Sequence, residues 1–271
     1  MGGFSAEWLE QREPSDTRAR SEALVIALSS QLPSRPLRVL DLGAGNGANI
    51  RYMAPLLKGE QRWCLVDNDP ELIERQPSVL EGPRFQCEVM SEQLDLATAL
   101  DALPLSQCQL VTASALLDLV SASWLESLAS RCAAFGVPVL FALNYDGRVQ
   151  CLPGDPEDDW MTSLVNLHQR RDKGFGPALG PEATRHACEV FARFGFQTRI
   201  APSDWVIEPD ERAFQRKLIA GWMSAAREMA PSEQARIERW GKRREACLSS
   251  GSSRIRVGHQ DFIAWPTAPC E

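Results

Sequence analysis

Although it has 8 cysteines, the 271-residue sequence contains no Cys-x-x-Cys pair. Cys64, Cys87, Cys108, Cys132, Cys151, Cys188, Cys247 and Cys270 are scattered, and no metal site is expected from their spacing. Several stand in apolar runs such as Trp63-Cys64-Leu65-Val66, where a thiol packs as a small hydrophobe. No apolar run approaches the length of a membrane span, and the segment from Met1 to Arg12 has no secretory-signal core. A cytoplasmic, reducing environment is the expectation, with no membrane partner. Excess positive charge is also missing. The formal net charge of -7 repels phosphate polymers, so nucleic acid is not an expected partner. The run Lys242-Arg243-Arg244 reads as the solvated face of a helix. Acid–base candidates are few, with 3 histidines and 2 tyrosines. Internal repeats and low-complexity segments are absent.

What is present is an alternation of apolar strand patterns and amphipathic helix patterns. Short strands are expected at 38–42, 63–67, 84–89, 109–113, 138–143, 196–207 and 254–265. Helices are expected within 5–30, where Pro33 and Pro36 stop the pattern, and at 48–57, 70–75, 122–135, 182–194 and 212–229. A further helix containing Ile237 and Trp240 is expected to start at a Ser232 cap. Strands alternating with helices imply parallel βαβ units. The expected fold is therefore α/β: a doubly wound, mostly parallel, seven-stranded Rossmann-like sheet with N-terminal helices and a helical insertion before the last strand. Residues 1–36 form an expected helical cap, 37–271 the α/β domain, and about 210–247 the insertion. The Gly-, Pro- and Asp-rich stretch 147–181 reads as a long loop.

The strongest chemical signal is Val39-Leu40-Asp41-Leu42-Gly43-Ala44-Gly45-Asn46-Gly47. Its glycines allow a sharp strand-to-helix turn and close approach of a ligand to the main chain. The next helix offers free N–H groups and the positive end of its dipole. In open α/β sheets this turn lies at the ligand-binding edge. Read as G-x-G-x-x-A, Gly43, Gly45 and Ala48 also suit a dinucleotide pyrophosphate. Asp41 opposes that reading, because an acid there disfavours a pyrophosphate and favours an ammonium. Asp67, in Leu65-Val66-Asp67-Asn68-Asp69, ends the second strand where a carboxylate accepts from ribose hydroxyls. It serves either nucleotide cofactor, and it also suits a simple strand–helix cap.

With these residues in hand, the chain resembles the class I S-adenosylmethionine-dependent methyltransferases, closely over about 38–141 and loosely beyond. The resemblance implies S-adenosyl-L-methionine as cofactor. It implies that Asp41 reaches the methionine end, with Gly43, Ala44, Gly45, Asn46 and Gly47 passing beneath it. It implies Asp67 on the ribose, Asn68 beside the adenine, and Asp95 with Leu96 at the adenine amino group, where Glu92 and Gln93 compete. The segment from Leu110 to Asp118, including Ser114, is implied to line the methyl-transfer side. Asp118 stands where many small-molecule members have a histidine pair.

Three residues are candidates for orienting or deprotonating an acceptor: Asp118, Tyr145 after the fifth strand, and His168 before the glycine-rich stretch Lys173-Gly174-Phe175-Gly176. That stretch reads as a lid or a plain loop. The N-terminal segment around Phe4, Trp8, Arg12, Arg18 and Arg20 reads two ways, as a cover over the site or as an amphipathic helix on the sheet edge with solvated arginines. Phe214, Trp222 and Trp240 of the insertion are expected either to shape the acceptor pocket or to form a dimer face. The expected activity is methyl transfer to a small-molecule acceptor, with homodimerisation open. The alternatives are an NAD(P)-dependent oxidoreductase and a non-catalytic adenosine-binding module.

Overall fold

The computed structural model describes residues 5–32 and 36–267. Phe4, Pro33 and Cys270 lie outside the described residues. The first helices are α1 (Ala6–Ala19) and α2 (Glu22–Ser29), each opened by a serine whose side chain accepts a backbone N–H: Ser5 from Trp8 and Ser21 from Leu24. Then follow β1 (Leu37–Leu42), α3 (Ala48–Leu57), β2 (Gly59–Asp67), α4 (Pro70–Ile73), β3 (Val79–Gly82), β4 (Phe85–Gln93), β5 (Leu110–Ser114), α5 (Ala122–Phe135) and β6 (Val139–Leu152). The remainder is α6 (Asp158–Gln169), α7 (Ala183–Arg193), β7 (Phe196–Pro202), β8 (Trp205–Ile207), α8 (Arg212–Met229), α9 (Gln234–Ser250) and β9 (Arg254–Pro266).

The strands form one sheet in the order β3-β4-β2-β1-β5-β6-β9-β7, with β8 also paired to β9. The pairs β1–β2, β1–β5, β2–β4 and β5–β6 are parallel. Those of β3, β7, β8 and β9 with their neighbours are antiparallel. Side-chain alternation on the central strands feeds two cores. Leu37, Val39, Trp63 and Leu65 face α2 and α3 on one side. Leu40, Leu42, Val66 and Phe141 face α5 and α7 on the other.

Several expectations are corrected. The sheet has 9 strands rather than seven. One addition is the edge strand β3, which hairpins onto β4. The other arises because the single strand expected at 196–207 breaks at Ser203-Asp204. There the Ser203 N–H donates to the His259 carbonyl and Asp204 accepts the His259 N–H. The stretch 147–181 is not one long loop. Gly147 marks an irregularity within β6, not its end, since pairing with β9 resumes at Val149↔Val257 and runs to Leu152↔Arg254. Helix α6 then follows, burying Met161, Leu164 and Val165 at helical spacing. Ser232 does not cap α9; it lies in a short 3-10 turn, and Glu233 precedes the helix.

The basic run 242–244 is not simply solvated either. Arg243 pairs with Asp155 and Glu157, while Arg244 is fully buried and donates to the Pro153 carbonyl at 2.8 Å. Together with the Trp240 Nε1–H bond to Asp158 at 2.8 Å, these contacts fix α9 to the β6–α6 connection. Among the described residues, no helix is long and apolar enough to cross a membrane.

Candidate active site

Strand β1 ends in a turn that only glycine accommodates easily. Gly43 and Gly45 have φ of +62° and +54°, in the left-handed region that penalises a Cβ. The turn is held from beneath by the β2 terminus. The Gly45 N–H donates to Asp67 Oδ2 at 2.7 Å, and the Asp69 N–H donates to Asp67 Oδ1 at 3.0 Å. Asp67 therefore both braces the turn and caps the next one, while its carboxylate still borders open space.

That space is a cavity of about 430 Å³ at the carboxyl edge of the parallel strands. Nine of the eleven expected cofactor residues line it: Gly43, Ala44, Gly45, Asn46, Asp67, Asn68, Asp95, Leu96 and Ser114. Leu72, Leu94 and Ala97 add an apolar wall beside Asp95. Ala115, at φ +53°, is a non-glycine residue held in left-handed geometry just after β5, and it too lines the cavity. Such conformations cost about 1–3 kcal/mol and cluster at ligand sites.

The other two expected cofactor residues lie off the wall. Gly47 faces Pro77. Asp41 is buried behind Asn49, whose Nδ2–H donates to Asp41 Oδ1 at 2.6 Å and to Thr112 Oγ1 at 3.1 Å. Asn49 Oδ1 in turn accepts from Arg20 at 2.6 Å, so one amide links a buried carboxylate and a buried guanidinium. Burial pushes the Asp41 carboxyl up to about 7, against the Asn49 hydrogen bond and the Arg20 charge. Asn49 itself lines the cavity and carries no signal in the sequence beyond following the glycine turn.

Helix α1 forms the roof, and its arginines are not uniformly solvated. Leu9 lies over Gly45, where an added Cβ would be 3.0 Å from Leu9 Cδ1. Glu13 takes both Nε and Nη2 of Arg51 at 2.7 and 2.6 Å, and Arg51 also donates to the Asn46 carbonyl at 2.8 Å. The helix is thus tied to the glycine turn. Arg12 and Asp16 reach the cavity, joined at 2.8 Å, with Trp205 Nε1–H donating to the second Asp16 oxygen at 2.9 Å. Arg18 pairs outward with Glu211.

The remaining wall is the segment Lys173-Gly174-Phe175. Asp172 Oδ1 accepts the N–H groups of Gly174 and Gly176 at 2.7 and 3.0 Å, which shapes the loop. Backbone bonds from Leu179 to Val120 and from Gly180 to Asp118 lace it to the segment after β5. Phe175 meets Trp124 edge-on, and Trp124 Nε1–H donates to the Leu96 carbonyl at 2.7 Å.

None of the three acid–base candidates is among the lining residues. Asp118 is buried with Oδ1 unpartnered, and burial raises its carboxyl to about 6. Tyr145 is buried and donates to Asn166 Oδ1 at 2.8 Å, and burial raises its phenol further. His168 lies in the last turn of α6 with Nδ1 3.4 Å from the Lys173 ammonium and Nε2 3.4 Å from Glu228. Burial and the Lys173 charge hold its pKa down. The insertion contributes no lining residue either. Phe214 and Trp240 are buried in the core, so the expectation that the insertion shapes the pocket is not met.

No family model and no curated protein sequence matches the chain. Solved structures do. Cyclopropane synthase MmaA2 from Mycobacterium tuberculosis aligns over 96% of this chain and 94% of its own at 12% identity, with a TM-score of 0.50. A cyclopropane-fatty-acyl-phospholipid synthase-like protein from Lactobacillus casei ATCC 334 aligns over 97% and 95% at 14% identity, with a TM-score of 0.54. At these identities the likeness is one of architecture: the chain has the fold of the class I S-adenosylmethionine-dependent methyltransferases.

Proposed function

We propose that this protein transfers the methyl group of S-adenosyl-L-methionine to a small-molecule acceptor. The observation that carries the reading is convergence. The glycine turn, Asp67, Asp95–Leu96 and Ser114, from four separate strand ends, border one cavity of about 430 Å³. The donor set fits an adenosine. A carboxylate at the β2 terminus suits ribose hydroxyls, and Leu72, Leu94, Leu96 and Ala97 suit the faces of a base, with Asp95 at its polar edge. Asn68 stands beside that base pocket. Asn49, backed by Asp41, suits the amino-acid end.

When bound, the cofactor supplies a methyl group already activated by its sulfonium. The protein's own task is then alignment and exclusion of water, which suits a cavity partly roofed by α1 and walled by the Lys173–Phe175 loop. A partly roofed cavity of this size is of small-ligand dimensions, which favours a metabolite over a duplex or a bilayer. The net charge of -7 supports the same choice. Asp118, His168 and Tyr145 stand behind the wall in this reading, and of the three only His168 has a polar contact with a lining residue, Lys173 at 3.4 Å.

The test is incubation with methyl-labelled S-adenosylmethionine and a fractionated metabolite extract. Label is expected in the small-molecule fraction. Label confined to protein, nucleic acid or lipid would refute the acceptor class. Tight NAD binding with no affinity for S-adenosylhomocysteine would favour the oxidoreductase.

A further inference from the structure

Within an acidic protein, the cavity carries two cationic heads that the fold leaves available. Arg12 is buried; its Nε donates to Asp16 and its guanidinium lies over the Trp205 ring, 5.3 Å from the centroid. Among the described residues, its two terminal nitrogens have no hydrogen-bond partner, and they are not sealed from solvent. Lys173, also on the cavity wall, is half-buried and has no carboxylate within ion-pair distance among the described residues; its ammonium is 3.4 Å from His168 Nδ1. Both line the same cavity, and both charges favour the ionised form of Asp118, which stands in sequence between Leu116 and Leu119 of the lining.

Of the four aspartates that line the cavity, Asp16 and Asp67 have both oxygens engaged. Asp16 accepts from Arg12 and Trp205 on separate oxygens. Both Asp67 oxygens accept backbone N–H groups. Asp69 and Asp95 each accept a backbone N–H two residues on, from Glu71 and Ala97, and both stand at the adenosine end. A guanidinium with free N–H groups and an ammonium without a carboxylate partner, both on the wall of one cavity, are donors that an anion can complete with charge-assisted hydrogen bonds.

We propose that Arg12 and Lys173 form an anion subsite, and that the acceptor is a small molecule bearing a carboxylate or phosphate held there. This rests on the methyl-transfer reading for the word acceptor, but the subsite itself does not. The Lys173-Gly174-Phe175 loop then gains a role: Asp172, by accepting the N–H groups of Gly174 and Gly176, sets the shape that puts Lys173 on the cavity wall. The geometry also restricts specificity, since a neutral ester or amide analogue would leave both cations unanswered.

The test is calorimetric titration of acetate and, separately, inorganic phosphate into protein saturated with S-adenosylhomocysteine. Saturable millimolar binding of at least one anion is expected, and the preferred one tells carboxylate from phosphate. Lys173→Gln should weaken it tenfold or more. Arg12→Lys, which keeps the charge but loses the planar fork, should weaken it several-fold. S-adenosylhomocysteine affinity should stay within twofold in both. No saturable binding, or binding unchanged by Lys173→Gln, overturns the proposal. So does anion binding that S-adenosylhomocysteine abolishes, because the cations would then serve the cofactor's own carboxylate. If S-adenosylhomocysteine does not bind at all, the methyl-transfer reading fails. Lys173-dependent anion binding to the free protein would still support the subsite.

Discussion

The roof over the glycine turn offers a sharp test through Gly45. Its φ of +54° lies where an L residue with a Cβ pays about 1–2 kcal/mol. An added Cβ would also stand 3.0 Å from Leu9 Cδ1, tighter than ordinary contact, and Leu9 is the end of a half-buried side chain on α1. Gly45→Ala should therefore lose the backbone term and also displace Leu9. At about 2–4 °C per kcal/mol for a chain of this size, the backbone term alone should lower the melting temperature by about 2–8 °C. S-adenosylhomocysteine affinity should fall about tenfold, equivalent to about 1.4 kcal/mol, because the turn and its roof both shift. Leu9→Ala relieves the steric part alone. In the double variant the stability loss should then be smaller than the sum of the singles by at least about 0.5 kcal/mol. Urea unfolding and calorimetry on the four proteins measure both quantities. Strict additivity, or a Gly45→Ala protein as stable as its parent, would show that Leu9 does not pack on the turn and that the left-handed geometry is absent in solution.

Asp67→Ala should weaken S-adenosylhomocysteine binding by about 1.5–3 kcal/mol, the scale of hydrogen bonds to a charged group, and unchanged calorimetric affinity would remove the ribose assignment. His259 is buried and held near 3, well below its ordinary value of 6.5, so its neutral form is the native one. Its contribution is present above about pH 6.5 and is lost as pH falls toward 3. His259→Gln should therefore make urea stability less acid-sensitive, by up to about 1.4 kcal/mol per pH unit, and an identical pH slope in both proteins would refute it. Asp118 has the opposite sign. Its folded value of about 6 exceeds the ordinary 3.8, so ionising it costs stability as pH rises from about 4 through 6. Asp118→Asn should gain relative to the parent over that window, and a constant difference would contradict a carboxyl raised by burial. Trp240→Ala should cost about 3–5 kcal/mol, read by urea unfolding, because it removes a fully buried indole and the bond to Asp158.

Much of the fold was legible because its signals are local. The run from Val39 to Gly47 states strand and turn within nine residues, a helix pattern follows from Ala48, and Asp67 comes where a parallel neighbour must end. The edge strand β3 was not legible, since its four residues alternate between half-buried and exposed and show no apolar run. Helix α6 was masked by the Gly, Pro and Asp residues before it, although its buried Met161, Leu164 and Val165 have helical spacing. The site was legible on the cofactor side and much less so on the acceptor side. Arg12 and Lys173 lie 161 positions apart, and only the packing of α1 and of the Asp172-braced loop brings them to one cavity. The burial of Arg20 and Arg244 was likewise hidden, because a charged residue defaults to solvent unless its partners are known. Asn49 shows the same limit, for its amide acquires meaning only between Asp41 and Arg20.

The central claim is that this cavity holds S-adenosylmethionine, and titration calorimetry of the full chain with S-adenosylhomocysteine, run beside NAD, tests it most directly. The account predicts one site per chain with micromolar-range affinity for S-adenosylhomocysteine, weakened in Asp67→Ala, and no measurable heat with NAD. No binding of S-adenosylhomocysteine, or tighter binding of NAD, would contradict it.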